Sequence, residues 1–239
     1  MTDGSHSISS NEIDFYVTRA AVGAGASFGI AEDFATAVTW AARFGDPAPA
    51  ALACLNQLDS RPQSGRLTLS GEGAALVLSG QGPLSAIYVG PALADFVQLP
   101  RAKGAILKAR DVDYPMLAVA ALASNPAIAC AIEWLGVRMT VGAGEISSLA
   151  AVDREAFRSD GPVDITLVDA PRPTPRTDAA GYCPDAAQLN AEAHRIAREG
   201  ITVDPSAWRG VVELFNRCLV PSSEQSLAAG AGAGLVDTD

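Results

Sequence analysis

The chain has 239 residues, 49% hydrophobic and 18% charged, with a formal net charge of −10. That length is enough to bury a proper core, and the acidic balance, with no basic cluster against it, excludes nucleic acid and anionic membrane surfaces as expected partners. The four cysteines, at positions 54, 130, 183 and 218, form no C-x-x-C pair, as expected of reduced thiols in a cytoplasmic protein. Residues 1–10 lack the apolar core of a signal peptide. The longest apolar run, Met116 to Ala123, is too short for a membrane span.

Residues 1–10 read as a flexible N-terminus, and 11–239 as one globular domain. Ser9 and Glu12 have the spacing of a capping box, so a helix is expected to start near Ser10. Ile13, Val17 and Ala20 or Ala21 give it one apolar face, and Gly23 and Gly25 end it. After Ser27 and Gly29 a second helix follows, with Ile30, Phe34, Val38 and Ala41 on one stripe and Gly45 as its stop. Asp46-Pro47 is a helix-entry signal, and Ala51, Leu52, Leu55 and Leu58 describe a third helix, completing a helical region over 11–58.

From 65 to 169 strand patterns dominate. Arg66–Ser70 alternates, Ala74–Ser79 is a short apolar run, and Leu84–Val89 and Gly104–Ala109 read as two further strands. Tyr114 to Ala123 reads instead as a buried helix with Pro115 in its first turn, ending at Asn125-Pro126. Ile128–Trp134 and Val137–Val141 are expected to meet at Gly136, and Pro162–Val168 is the last strand. Residues 170–184, rich in proline, read as an extended loop. A C-terminal helical region, 185–239, holds one helix over Asp185–Glu199 and another entered at Asp204-Pro205. The expected fold is therefore α+β: a mostly antiparallel or mixed central sheet, with N-terminal and C-terminal helices packed together.

Several stretches resemble a bacterial family of uncharacterised proteins, domain of unknown function 3726. They are Asn11-Glu-Ile13, Ala20-Ala-Val-Gly-Ala-Gly25, Gly29-Ile-Ala-Glu-Asp33, Val220-Pro-Ser-Ser-Glu224, Gly230-Ala-Gly-Ala-Gly234 and Asp237-Thr-Asp239. A weaker likeness runs from Gly82-Pro-Leu84 through Gly90 and Asp95. The resemblance implies the size and integrity of one domain and brings no activity. An arginine expected just before the terminal glycines is replaced by Leu227 and Ala228, which weakens an anion clamp in that tail.

Chemistry-bearing residues are few. The two histidines, His6 and His194, do not build a metal site, and no motif names a cofactor. Asp111 and Asp113 flank Val112, a pattern that serves a hard cation or a solvated loop. Glu133 stands in an apolar stretch, either as a buried general acid or base or as an outward strand residue beside inward Ile132 and Trp134. The turn from Gly23 to Gly29 has the character of an anion nest at a helix start, though Glu32 and Asp33 complement that dipole themselves. The first function class is thus an enzyme or small-molecule-binding protein with its pocket near the two terminal glycine segments. Its ligand contacts are Arg19, Gly25, Ser27, Gly29 and Gly232, with Glu32 and Glu133 as candidate catalytic acids. The alternative is a non-catalytic subunit that oligomerises or binds a partner through apolar helical faces such as 114–123.

Overall fold

A computed structural model describes residues 6–61, 66–99, 106–168 and 181–219. The capping box forms at the start of α1 (Ser10–Gly23). The Ser9 hydroxyl accepts the Glu12 N–H at 3.2 Å, and the Glu12 carboxylate accepts the Ser9 N–H at 2.8 Å. Ile13, Val17, Ala20 and Ala21 then face inward, against α2 (Phe28–Ala41) and α8 (Pro205–Asn216). The expected packing of N-terminal on C-terminal helices is present, and alanine at the contact lets the backbones draw close. The closest point is Gly23, where any Cβ would overlap the Leu214 carbonyl oxygen of α8. One turn earlier, the Cys218 thiol donates to the Arg19 carbonyl at 2.7 Å. A 3-10 turn, Ala42–Phe44, leads from α2 into α3 (Ala48–Ser60), which also packs on α8.

The main sheet has eight strands: β2 (Thr68–Glu72), β3 (Ala75–Ser79), β4 (Leu84–Ser85), β5 (Ile106–Asp113), β6 (Ala129–Trp134), β7 (Val137–Gly142), β8 (Glu145–Ala151) and β9 (Val163–Val168). Their order is β2-β3-β5-β9-β6-β7-β8, with β4 beside β5. β5 runs parallel to both β3 and β4, and the other pairings are antiparallel, so the sheet is mixed. Period-two alternation turns Leu107, Ala109, Ile132, Met139, Ile165 and Leu167 toward the core and Lys108, Glu133, Arg138 and Thr166 to the other face. α4 (Ala86–Val97) and α5 (Pro115–Ala123) pack against each other and against α2. α5 is buried almost all round, as its alanine–leucine composition requires.

Three local expectations change, and one unassigned stretch gains structure. Leu84–Val89 is strand only over Leu84–Ser85; Ser85 then takes the N-cap position and Ile87 and Val89 continue as the buried face of α4. A short β-branched run does not distinguish the two conformations by itself. β5 reaches Asp113 instead of ending at Ala109, with an irregularity between Ala109 and Val112. Residues 143–160, which carry little periodicity, supply β8 and the short α6 (Arg154–Phe157). Finally, His6–Ile8, inside the stretch read as a flexible tail, is a strand, β1, paired antiparallel with β10 (Ile201–Val203); α7 (Ala186–Glu199) precedes β10. Three residues are too few for a periodic signal. The proline-rich stretch up to residue 180 and the glycine tail lie outside the described residues.

Candidate functional site

The parallel pair β4 and β5 puts two strand-to-helix junctions side by side, Ser85 into α4 and Asp113–Tyr114 into α5, with Ser85 paired to Asp113 in register. In open sheets the crevice beyond the carboxyl ends of such strands is where ligands bind. Here it opens into a cavity of about 520 Å³. Its walls are the end of α2 and the 3-10 turn (Ala41, Phe44), the entry to α3 (Gly45 to Ala53), the first turn of α5 (Tyr114, Met116, Leu117) and the loop from Phe157 to Asp160.

Asp46 and the Tyr114 backbone are each held by defined hydrogen bonds. Asp46 accepts the Ala48 N–H at 2.9 Å, setting the start of α3. Its second oxygen accepts the Asp204 N–H at 2.6 Å and ties that start to α8. Tyr114 is the N-cap of α5 in the left-handed region, φ 51° and ψ 57°, a costly conformation for a large residue. Its N–H donates to the Asp160 carbonyl at 2.7 Å. Gly161, at φ 88°, lets that loop press on β5, since a Cβ there would stand 2.5 Å from the Val112 carbonyl oxygen. The strain at Tyr114 is therefore enforced from outside the helix it begins, the pattern expected of a functional position.

Next to Tyr114 in the chain, Asp113 is 6% exposed, and its carboxylate accepts from Arg61 Nη2 at 3.0 Å. Burial raises its pKa above the ordinary carboxylate value, and Arg61 opposes the shift without cancelling it. The Tyr114 phenol is also raised, by burial first and then by Asp160, Cys54 and Asp113. Cys54 lies fully buried with its sulfur 3.8 Å from the Ser85 hydroxyl, and burial pushes its thiol up to about 12, which favours the thiol over the thiolate. The result is a buried, Arg61-paired acid next in sequence to a strained tyrosine on the wall of an apolar cavity, with Arg158, Ser159 and Asp160 on its rim.

Sequence-derived candidates are distributed differently. Asp113 was visible, but as half of a cation pair; Asp111 is exposed, with φ 52°, and its N–H donates to Asp164. No group of three or more metal-ligating side chains occurs among the described residues. Glu133 is half-buried on the polar sheet face and ion-paired with Arg138. Glu32 is exposed in the first turns of α2, where its carbonyl accepts from Thr36. Arg19 lies over the Phe15 ring, 3.8 Å from its centroid, and donates to the Phe15 carbonyl. The Gly25 N–H donates to the Val22 carbonyl, Ser27 is the N-cap of α2 without a side-chain capping bond, and Gly29 is helical. None of these residues borders the cavity, and Gly232 lies outside the described residues. Arg61, Tyr114, Arg158 and Asp160 had no sequence signal beyond Pro115, which marks where α5 begins.

Comparison with known proteins adds the following. Residues 8–76 match the model of a protein family of unknown function, DUF3726. The resemblance read from the N-terminal motifs is thereby shown. No curated protein matches the sequence. Among solved structures, a malate dehydrogenase from Pyrococcus horikoshii is similar at TM-score 0.56 and 10% identity, covering 92% of this chain and 97% of that one. A malate dehydrogenase from Entamoeba histolytica gives TM-score 0.55 and 7% identity over 92% and 99% of the two chains. A dehydrogenase from Sinorhizobium meliloti gives 0.57 and 13% over 89% and 100%. At these identities the likeness is one of fold. No described helix is long and apolar enough to cross a membrane.

Proposed function

We propose that this protein is a small-molecule enzyme or binding protein whose ligand occupies the cavity at the carboxyl ends of β4 and β5. The observation that carries this reading is strained Tyr114 on the wall of an apolar cavity of about 520 Å³, with buried Asp113 next to it in the chain, a combination by which uncharacterised sites are recognised. The fold shared with proteins named malate dehydrogenase supports a small organic substrate. In this reading Phe44, Phe157 and Met116 exclude water from the ligand, and Tyr114, Arg158 and Asp160 offer it polar contacts. The four cysteines form no C-x-x-C pair, which supports a cytoplasmic setting.

The test is a thermal-shift screen of the full chain against a metabolite library, repeated with Ala50→Trp, which fills the cavity from α3. Ligands acting at this site stabilise the wild type and leave the variant unmoved. A library without a stabilising member, or shifts that survive Ala50→Trp, would reject the assignment.

The glycine turn supports a second location. The Ser27 side chain makes no capping bond, which leaves the first N–H groups of α2 open to an anion beside Gly25 and Gly29, with Arg19 as the candidate cation. Inorganic phosphate or sulfate protection lost in Ser27→Pro would place a ligand there. The non-catalytic alternative, an oligomerising or partner-binding subunit, draws on exposed Phe15 and Phe28; light scattering that reads a monomer at high concentration counts against self-association.

A further inference from the structure

Away from this cavity, one cation is buried among the described residues: Arg43, 9% exposed, on the 3-10 turn after α2. Its guanidinium lies over the Trp40 ring, 4.1 Å from the centroid. Nε donates to the Trp40 carbonyl at 3.0 Å and Nη1 to the Asn190 side-chain oxygen at 3.2 Å. Neither acceptor is a carboxylate, although a buried guanidinium normally meets one. Burial lowers its pKa to about 10, with Glu145 opposing from β8.

Arg43 lines an open cleft of about 310 Å³, separate from the first cavity and sharing no lining residue with it. The same cleft carries Asp14 and Ser10 of α1 and Thr36 and Thr39 of α2, with Ala193 and Ile196 of α7 as an apolar wall. Asp14 takes one hydrogen bond, from Thr39 at 2.8 Å, and neither it nor Arg43 enters an ion pair among the described residues. The Ser10 hydroxyl is buried and has no partner there. The cleft thus carries one positive and one negative group on different elements, neither of them in a salt bridge among the described residues. A simple anion would meet Asp14, and a simple amine would meet Arg43. A small dipolar molecule satisfies both.

We infer that this cleft binds a free α-amino acid, its carboxylate on Arg43 and its ammonium on Asp14. Charge-assisted hydrogen bonds at both ends are the strong kind, and the α7 wall of Ala193 and Ile196 receives the side chain.

Isothermal titration of the full chain near neutral pH tests this with glycine, L-alanine and L-leucine, and with propionate and ethylamine as analogues that lack one charge. At least one amino acid should bind at or below about 10 mM, with both analogues about tenfold weaker or more. Arg43→Gln and Asp14→Asn should each weaken binding by about tenfold or more. Asp14 is exposed, so Asp14→Asn decides the matter should Arg43→Gln fail to fold. Ala50→Trp should leave amino-acid binding intact, which separates this site from the first cavity. Absence of binding by all three amino acids overturns the inference. So does equal binding of propionate, unchanged affinity in Asp14→Asn, or loss in Ala50→Trp.

Discussion

Gly23→Ala tests the close contact of the two terminal helical regions. In an ordinary exposed helix, alanine in place of glycine adds about 1 kcal/mol of stability. At Gly23, however, the new methyl would overlap the Leu214 carbonyl oxygen and lie 3.1 Å from its carbon, with the Arg217 Cβ at 3.4 Å. Ordinary carbon contacts fall at roughly 3.5–4.0 Å, and the obstacle is helix backbone, which has no rotamer to yield. α1 and α8 would have to separate, with an overpacking cost near the top of the usual range, about 3 kcal/mol. Against the propensity gain, the net loss is about 2 kcal/mol, or roughly 4–8 °C in melting temperature for a chain of this size. Gly29→Ala is the internal control. It sits in α2 with nothing within 4 Å of the added Cβ, so it should be neutral or stabilising by up to about 1 kcal/mol. Both are read by thermal and urea melts followed by circular dichroism. A Gly23→Ala protein as stable as wild type, or indistinguishable from Gly29→Ala, would refute the backbone-contact argument.

Three further outcomes follow from the site and its supports. Folding holds the Asp113 proton more tightly than the unfolded chain does, so this group's contribution is full below the ordinary carboxyl pKa and is lost as pH rises through the raised folded value. Asp113→Asn should flatten the decline of stability with rising pH above the ordinary carboxyl range, measured by urea titration across pH; an unchanged profile would show that Asp113 is not the titrating group. Arg61→Ala leaves that buried carboxylate without its partner and should destabilise by about 1–3 kcal/mol at neutral pH, an effect Asp113→Asn suppresses in the double variant; additive losses would mean the two do not interact. Asp204→Ala removes the 2.7 Å cap on the Ala207 N–H and should cost about 1 kcal/mol, read by the same melts; no change would argue that the Asp46 bond alone fixes the start of α8.

Much of the fold was legible because its signals are local. Ser9 with Glu12, Asp204 with Pro205, and the Gly136 turn each encode their structure within four residues. The buried α5 declared itself by composition. Leu84–Val89 misled because β-branched side chains pack equally well on a helix that two other helices cover. β1 and β10 depend on a pairing some 200 residues apart in sequence, which no local pattern records. The site was the least legible part. Asp113 takes its character from Arg61, 52 residues away, and Tyr114 takes its strained backbone from the loop at Asp160 and Gly161. A sequence shows an aspartate and a tyrosine before a proline; only tertiary contact makes one a buried acid and sets the other, strained, on a cavity wall.

The most direct measurement is a crystal structure of the protein soaked with a metabolite that raises its melting temperature, collected in the Asp14→Asn background so that the Arg43 cleft does not contribute. Density for that molecule between Phe44, Tyr114 and Phe157, with a polar atom in hydrogen-bond reach of the Tyr114 hydroxyl or of Arg158, is the predicted result. A stabilising ligand seated elsewhere, with this cavity holding only water, would contradict it.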